Sequence, residues 1–219
     1  MLKILIVDDE ISAGNILKIL IKKYIPIETE IEYCDSAQKA LDILPEFQPS
    51  LIMLDIEMPV MNGFDFLSLA PHDTFDVIFT TAFDKYAIKA IRFSALDYLL
   101  KPIDVLDLKN AINSHIVKSR NFEQKSLVDN LLTNLKQPDQ KNFKLALSTS
   151  EGTFFFDPVD ILYCEADNNY TKFNLLNKKP LLVSKTLGDF DELLSEHQFI
   201  RIHKSYLVNI KYITKINRD

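Results

Sequence analysis

The stretch Leu51-Ile-Met-Leu-Asp-Ile-Glu-Met-Pro-Val-Met-Asn-Gly63 carries the clearest fold signal in the sequence. It opens with four apolar residues in a row, a pattern that suits a strand covered on both faces of a sheet. An acid, Asp55, follows this run directly, and a segment with helical period begins at Gly63. The stretch therefore predicts one strand-and-helix unit of a parallel sheet, with a carboxylate at the end of its strand.

The same alternation of short apolar runs with longer segments of helical period fills the first 120 residues. The strand candidates are residues 3–7, 30–34, 51–54, 77–80 and 97–99. The helix candidates are residues 11–24, 37–44, 63–69, 85–93 and 105–119. Five such units predict an α/β domain with a doubly wound, five-stranded parallel sheet.

The second part of the chain has a different pattern. Residues 121–142 carry leucines at helical spacing among amides and charges, so we expect a helical extension that ends in a polar linker near residues 137–142. From residue 143 the apolar runs are short, at 143–147, 153–156, 161–164, 170–175, 180–183, 199–202 and 212–216, and only 187–194 has a clear helical period. We therefore predict an α/β domain over residues 1–120, the extension and linker over 121–142, and a smaller, mainly β domain over 143–219.

The charge is distributed unevenly between these parts. The chain has a net charge of −6, with 47% apolar and 26% charged residues, a composition typical of a globular protein. Residues 1–141 hold 15 basic and 21 acidic residues, and residues 142–219 hold 10 of each. From Lys172 onward nine basic residues face five acids. This local basic excess favours a polyanion partner for the second domain.

No apolar segment reaches the ~20 residues needed to span a bilayer. The N-terminal apolar run ends in acids and not in the small residues of a secretory signal. We therefore expect a cytoplasmic protein with no membrane contact. Cys34 and Cys164 lie in different halves of the chain without a partner at metal-binding spacing, which favours two reduced, buried thiols.

Polar residues follow the predicted strands at the ends where an open α/β sheet usually binds its ligand. They are Asp8, Asp9 and Glu10 after the first strand, Asp55 after the third, Thr80 and Thr81 at the end of the fourth, and Lys101 after the fifth. Several carboxylates in one crevice repel each other unless a hard cation joins them, and Mg²⁺ suits oxygen ligands of this kind. A carboxylate can also act as a nucleophile and form an aspartyl phosphate. The pattern thus indicates a magnesium-dependent phosphoryl acceptor, with Lys101 and Thr81 contacting the phosphoryl group.

Each of these residues has an ordinary structural alternative. An isolated acidic triplet after a strand is more often a solvated helix start. A lone Asp, a pair of Thr residues or a Lys-Pro dipeptide is more often a cap or a turn. The prediction therefore rests on the joint pattern.

This joint pattern resembles the receiver domain of two-component response regulators, which has a flavodoxin-like fold. The matching segments are Ile6-Val-Asp-Asp-Glu10, Leu54-Asp-Ile-Glu-Met-Pro-Val-Met-Asn-Gly63, Phe79-Thr-Thr-Ala82 and Asp97-Tyr-Leu-Leu-Lys-Pro102. The resemblance implies that Asp55 is the phosphoacceptor and that Lys101 pairs with the phosphoryl group. It implies a Mg²⁺ site formed by the carboxylates of Asp8, Asp9 and Asp55 and by the backbone carbonyl of Glu57. It further implies that Thr81 and Tyr98 form a switch pair and that the Lys101–Pro102 peptide bond is cis.

Two positions that tune the lifetime of the phosphorylated state in this family carry Glu57 and Phe83 here. Phe83 has no group that could position an attacking water. We therefore expect a phosphorylated state that is not especially short-lived. An unchanged hydrolysis rate in a Phe83→Glu variant would contradict this expectation.

From residue 143 onward the chain resembles the LytTR-type DNA-binding domain. The matching segments are Ile161-Leu-Tyr-Cys-Glu-Ala-Asp-Asn-Asn-Tyr170, Lys185-Thr-Leu-Gly-Asp-Phe190 and Phe199-Ile-Arg-Ile-His-Lys-Ser-Tyr-Leu-Val-Asn209. In the last segment we expect buried Phe199, Ile200, Ile202, Tyr206 and Leu207 to alternate with exposed Arg201, His203 and Lys204. The resemblance implies DNA-facing loops at residues 167–172 and 203–204, with contacts from Asn168, Asn169, Lys172, His203 and Lys204. For each of these residues alone, a solvated surface position is an equally good explanation.

Members of this family continue past the position of Asp219 with a further hairpin that supplies another DNA contact. We therefore expect the C-terminal part of the domain to be missing from this sequence. We also expect weak DNA binding, or none, and a last strand that forms an unpaired edge.

Together these features predict a response regulator, not an enzyme, that accepts a phosphoryl group on Asp55 from a sensor histidine kinase. The added charge is expected to shift Thr81 and Tyr98, to remake the surface of residues 85–119 for homodimerisation, and to control DNA binding at promoter repeats. Two alternatives stay open. A phosphatase of the haloacid-dehalogenase kind also uses an Asp nucleophile, although it needs a second Asp at the position of Glu57. A regulator could instead act through protein contacts or RNA.

Overall fold

A computed structural model describes residues 1–71, 74–82, 97–117, 123–136, 144–149 and 151–215. Within these residues the chain forms two compact units, the first ending at Leu132 and the second beginning at Thr133. The predicted helix at 85–93 and the predicted linker at 137–142 lie outside the described residues. None of the described helices combines the length and the apolar character that a membrane crossing requires.

The first unit is built on a five-stranded parallel sheet with the strand order β2-β1-β3-β4-β5. The strands are β1 (Leu2–Val7), β2 (Thr29–Cys34), β3 (Leu51–Asp55), β4 (Asp76–Thr81) and β5 (Asp97–Leu100). The predicted sheet is confirmed, because every strand occurs and each end lies within one residue of its expected position. The order of strands reverses between β1 and β3, so a crevice lies at the carboxyl ends of these two strands.

The helices of this unit are α1 (Ile11–Tyr24), α2 (Ala37–Phe47), α3 (Gly63–Leu69) and α4 (Val105–Val117). Local hydrogen bonds explain where two of them begin. The Ser36 side chain accepts the N–H of Lys39 at the start of α2, and Asn62 and Asp65 form a reciprocal capping box at the start of α3. A Cβ on Gly63 would lie 2.4 Å from the backbone oxygen of Asp55, so this glycine allows α3 to begin directly beside the end of β3.

A further helix, α5 (Glu123–Lys136), follows α4 in the chain. Its Leu127 and Leu131 are buried. Asn134, in its last turn, is also buried. Its side chain accepts the N–H of Lys144 at 3.1 Å and donates to the carbonyl of Lys144 at 3.2 Å. The side-chain amide of Asn134 therefore links the last turn of α5 to the residue that precedes the first strand of the second unit.

The second unit is mainly β, as predicted. Strands β6 (Leu145–Thr149) and β7 (Gly152–Phe156) form a two-stranded antiparallel sheet. The remaining strands form a five-stranded antiparallel sheet in the order β10-β9-β8-β12-β11. They are β8 (Ile161–Asp167), β9 (Tyr170–Leu175), β10 (Leu181–Val183), β11 (Phe199–His203) and β12 (Tyr206–Asn209), with helix α6 (Leu187–Leu194) after β10. The apolar core includes side chains from both sheets and from α6.

Two sequence predictions in this unit were wrong. The strand expected at residues 212–216 does not form over its described part: the chain makes a 3-10 helix at Ile210–Tyr212 and residues 213–215 are irregular, while residue 216 is not described. The strand lies earlier, at Tyr206–Asn209, and the Asn209 side chain ends it by accepting the N–H of Lys211. The buried Asn209 also donates to the carbonyls of Ile161 and Pro158.

The burial predicted along residues 199–207 was also only partly right. Phe199 and Leu207 are buried, but Ile200, Ile202 and Tyr206 are exposed. Phe199 and Arg201 share one face of β11, so Ile200 and Ile202 lie on the other, exposed face; a register shift follows between Arg201 and His203. Ile200 pairs with Val208, on the face of the sheet opposite to Leu207.

Candidate functional site

The carboxyl ends of β1 and β3 bring three carboxylates together. Oxygen atoms of Asp8, Asp9 and Asp55 all lie within 4.8 Å of one another. Asp8 and Asp55 are buried, with 1% and 5% of their surface exposed, whereas Asp9 is exposed. The three acids that were expected to converge therefore do so, and the cluster has one side open to solvent.

Lys101, just after β5, contacts two of these acids. Its Nζ lies 2.8 Å from Oδ2 of Asp8 and 2.6 Å from Oδ2 of Asp55. Its backbone N–H donates to the carbonyl of Thr81 at 2.8 Å, which fixes Lys101 beside the end of β4. The Lys101–Pro102 peptide bond is cis, as the resemblance implied. One ammonium group thus bridges the two buried carboxylates.

Burial and charge shift the pKa values in this cluster. Burial raises the pKa of Asp8 above its ordinary value and the charge of Asp55 adds to the rise, while the hydrogen bond and charge of Lys101 oppose it. Burial alone would lower the pKa of Lys101, but its hydrogen bonds to Asp55 and Asp8 and their charges raise it overall. Three carboxylates against one ammonium leave the cluster negative.

Backbone N–H groups orient the two buried carboxylates. Oδ1 of Asp8 accepts the N–H of Glu10 at 3.0 Å, and Oδ1 of Asp55 accepts the N–H of Glu57 at 3.2 Å. Each carboxylate therefore turns its other oxygen, Oδ2, toward Lys101. The Glu57 side chain is exposed, two residues beyond the end of β3.

Thr81, at the end of β4, is fully buried. Its Oγ1 has no hydrogen-bond partner among the residues that the structure describes, an uncommon state for a buried hydroxyl. Across β4 and β5, Phe79 pairs with Tyr98 and Thr81 with Leu100. Residues two apart in a strand share a face, so Thr81 and Tyr98 lie on the same face of the sheet. Phe83, expected to affect phosphate lifetime, lies outside the described residues.

The donor set at this edge fits a hard divalent cation. The converging ligand atoms are all carboxylate oxygens, and Lys101 neutralises only part of their charge. Mg²⁺ prefers oxygen ligands and keeps several of its waters, which the exposed side at Asp9 can accommodate.

In the second unit, two turns carry the residues that were predicted to face DNA. Asn168 and Asn169 form the turn between β8 and β9, and Asn168 has a left-handed backbone conformation, with φ at 53°. Lys204 and Ser205 form the turn between β11 and β12. The N–H of Ala166, just before the first turn, donates to the carbonyl of Ser205 at 2.9 Å. Both turns therefore lie at the same end of the sheet.

The predicted contact residues differ in their exposure. Asn168, Asn169, His203 and Lys204 are exposed, and Lys172 is half-buried opposite Glu165 in the β8–β9 ladder. The His203 ring lies 5.9 Å from the ring of Tyr206, and its Nδ1 accepts the N–H of Ser205. The structure thus gathers the five residues at one end of the unit.

Comparison with known proteins gives matches to both units. A family model of the response regulator receiver domain matches residues 4–113, and a model of the LytTr DNA-binding domain matches residues 151–219. The sensory transduction protein LytT of Bacillus subtilis is 32% identical over 219 residues, which cover 99% of this chain and 86% of that protein. The chain belongs to the LytTR-type response regulators. It is therefore a two-component transcription regulator.

Two further proteins are similar to parts or all of this response regulator. The transcriptional regulatory protein BtsR of Escherichia coli K12 is 29% identical over 221 residues, covering all of this chain and 87% of that protein. A solved receiver domain protein from Clostridium thermocellum is 32% identical, covers 53% of this chain and 94% of its own, and has a TM-score of 0.44. Both family models describe regulatory modules, a response regulator receiver domain and a DNA-binding domain.

Arg201 of the LytTR domain was predicted to be exposed, but it is half-buried and tied to its neighbours. Its Nε donates to the carbonyl of His203 at 3.1 Å, and its Nη2 donates to the carbonyl of Lys204. Its Nη1 lies 3.1 Å from Oδ2 of Asp191 on α6. Arg201 thus holds the turn that carries His203 and Lys204. Nothing in the local sequence pattern indicated this role, because the contacts depend on how the turn folds back.

Proposed function

We propose that this response regulator accepts a phosphoryl group on Asp55 from a sensor histidine kinase. The proposal rests on the groups that surround the carboxylate of Asp55. Asp55 is buried beside the ammonium of Lys101, and the hydroxyl of Thr81 at the end of the adjacent strand has no partner among the described residues. A buried hydroxyl without a partner and a cation shared between acids are what an incoming phosphoryl group would use.

The chemistry is a transfer between two nucleophiles. A carboxylate oxygen of Asp55 attacks the phosphorus atom of the kinase phosphohistidine, an O–P bond forms, and the N–P bond breaks. The histidine nitrogen leaves with the bonding electron pair and takes up a proton from solvent. Lys101 and Thr81 would contact the phosphoryl oxygens, where negative charge is spread during transfer.

The metal ligands would be the carboxylates of Asp8, Asp9 and Asp55 together with the backbone carbonyl of Glu57. A bound Mg²⁺ would neutralise charge on the phosphoryl oxygens. The support in this structure is the convergence of the three carboxylates within 4.8 Å and their excess of negative charge over Lys101.

The output step would begin at Thr81 and Tyr98. Phosphorylation adds about 1.5–2 negative charges at Asp55, and the Thr81 hydroxyl would turn toward the phosphoryl group while the Tyr98 ring moves inward. We infer that this change remakes the surface of residues 85–119, of which 85–96 and 118–119 lie outside the described residues, and promotes homodimerisation. The dimer would then bind promoter repeats through Asn168, Asn169, Lys172, His203 and Lys204.

The test compares the chain with an Asp55→Asn variant after incubation with acetyl phosphate and Mg²⁺. Asp42→Asn, on the exposed surface of α2, is the matched control. Intact mass should show a phosphoryl adduct on the wild type and the control and none on Asp55→Asn. Size-exclusion chromatography with light scattering should show a dimer only where the adduct forms.

An adduct that persists in Asp55→Asn would refute the assignment of the phosphoacceptor. A separate selection from a random-sequence DNA duplex library tests the output. Enrichment of repeated motifs that depends on acetyl phosphate is expected. Phosphorylation and dimerisation without any DNA enrichment would instead favour the alternative of signalling by protein contacts.

A further inference from the structure

Tyr33, on β2, contacts the loop that carries the predicted metal ligands. Its hydroxyl donates to the backbone carbonyl of Asp8 at 2.7 Å. Tyr33 pairs with Ile6 in the β1–β2 ladder, and its half-buried ring packs against the apolar core of the first unit. Tyr33 lies in the predicted strand 30–34, and no sequence pattern indicated a part for it in the site.

Gly14, on α1, makes room for this ring. A Cβ on Gly14 would lie 2.2 Å from Cε2 and 2.7 Å from Cδ2 of Tyr33, distances that require one of the two residues to move. A glycine inside a helix destabilises it relative to alanine. The close approach of the Tyr33 ring supplies the packing reason for this glycine, and a glycine inside a predicted helix was the one sequence signal that could have indicated it.

Strand β2 therefore holds the Asp8 backbone through two hydrogen bonds. The N–H of Asp8 donates to the carbonyl of Cys34 at 3.1 Å, and the carbonyl of Asp8 accepts from Tyr33. Immediately beyond Asp8 and Asp9, α1 begins at Ile11, and the side chain of its N-cap residue, Glu10, makes no capping hydrogen bond. These two contacts to β2 hold the Asp8 backbone, in addition to the hydrogen bond that Oδ1 of Asp8 accepts from the N–H of Glu10.

We propose that Tyr33 is a positioning residue for the metal site. Its hydroxyl fixes the Asp8 carbonyl and so keeps the carboxylates of Asp8 and Asp9 at the spacing that a divalent cation needs. Tyr33 touches none of the reacting atoms in this arrangement and acts through Asp8. This inference rests on the proposed function, because it assumes that Mg²⁺ binds at these carboxylates.

The test uses Tyr33→Phe in the full chain, which removes the hydroxyl and keeps the ring against Gly14. Tyr24→Phe is the matched control, since Tyr24 lies at the other end of α1 with its ring near the ammonium groups of Lys23 and Lys109. Titration calorimetry with MgCl₂ alone should show about fivefold weaker binding for Tyr33→Phe, which corresponds to about 1 kcal/mol and to the loss of one neutral hydrogen bond. Tyr24→Phe should bind like the wild type.

A second readout separates positioning from a loss of stability. The rate of phosphorylation by acetyl phosphate is measured against Mg²⁺ concentration. The half-saturating concentration should rise about fivefold in Tyr33→Phe, in line with the loss of one hydrogen bond, while the rate at saturating Mg²⁺ stays unchanged. A purely structural role would lower the urea midpoint and leave the half-saturating concentration where it is.

A double-mutant cycle adds an independent check. Gly14→Ala should displace the ring and weaken Mg²⁺ binding by itself, and it should add no further weakening in the Tyr33→Phe background. Wild-type affinity in Tyr33→Phe would overturn the role of Tyr33 and leave the metal site intact. Absence of Mg²⁺ binding by the wild type would overturn the proposed metal site, and this inference with it.

Discussion

Replacing Lys101 with methionine removes the ammonium that contacts Asp8 and Asp55 and keeps an apolar side chain in its place. Both carboxylates are buried, and the Lys101 side chain is itself only 15% exposed. Removing one partner of a buried ion pair costs about 3–5 kcal/mol, because the remaining charge is left unpaired. Asp9 opens one side of this cluster to water. We therefore expect a smaller loss, about 2–4 kcal/mol, in the free energy of unfolding of the receiver unit at neutral pH.

This loss should depend on pH. Burial raises the pKa of Asp8, and Lys101 opposes the rise, so removing Lys101 raises that pKa further. An acid whose pKa is higher in the folded chain binds its proton more tightly there, so stability falls as the pH rises from the unfolded pKa through the folded one. The deficit of the variant should therefore shrink toward low pH. In the wild type, Lys101 stays protonated over this range because its pKa is raised above the ordinary 10.5, so the change of the deficit with pH comes from the carboxylates.

Hydrogen exchange followed by mass spectrometry on the full chain measures the effect in the relevant unit. Peptides from β1, β3 and β4 of Lys101→Met should exchange about 30–700 times faster than those of the wild type at neutral pH. Comparing the two proteins at each pH removes the intrinsic pH dependence of exchange. Added Mg²⁺ should slow exchange more in the variant, because its carboxylates lack their ammonium partner.

Lys39→Met is the matched control for this experiment. Lys39 forms an exposed ion pair with Asp35 at 2.8 Å, so its loss should leave exchange in these strands unchanged. Unchanged exchange in Lys101→Met would refute the reasoning, as would a deficit that is as large at acid pH as at neutral pH. Either result would mean that water or structural relaxation already screens the two buried carboxylates.

Four further outcomes are expected. Thr81→Ala should cost less than about 1 kcal/mol of stability in urea unfolding, because the hydroxyl has no partner among the described residues, yet it should weaken the dimerisation that acetyl phosphate induces. Arg201→Gln should lower affinity for a random-sequence DNA duplex in fluorescence anisotropy without changing its salt dependence, whereas an arginine bound to phosphate would reduce the slope by about one. Asn209→Leu should destabilise the LytTR unit by about 2–4 kcal/mol in hydrogen exchange, because buried carbonyls lose their donor. Cys34 should resist iodoacetamide at pH 8 until the chain is unfolded, because burial raises the pKa of its thiol to about 11; rapid alkylation of the native protein would contradict this.

Local sequence patterns were enough to predict the receiver sheet. Runs such as Ile4–Val7 are apolar without interruption, and only a strand covered on both faces buries every residue of such a run. Helix starts followed equally local signals, such as Ser36 and Asn62. Because the acids directly follow these strands, the parallel order of the strands was sufficient to group Asp8, Asp9 and Asp55.

The same approach failed in the LytTR unit, where the strands are short and antiparallel. A strand was predicted at 212–216, and the strand at Tyr206–Asn209 was missed. The segment Tyr206–Asn209 ends at the buried Asn209 side chain and not at a turn signal that the sequence would show. Ile200 and Ile202 were expected to be buried because they are apolar, but they alternate with the buried Phe199 and so lie on the opposite, exposed face of β11.

Periodicity and motifs within short segments were enough to predict the family, the positions of the receiver strands and the identity of the clustered acids. Only the tertiary structure decided that Lys101 bridges Asp8 and Asp55, that Tyr33 holds the Asp8 carbonyl, and that Arg201 supports a turn. The first two of these contacts join residues that are 25 to 93 positions apart in the chain, and the third depends on how a turn folds back. Their geometry follows from the packing of whole elements against each other, which a pattern read along one segment does not contain.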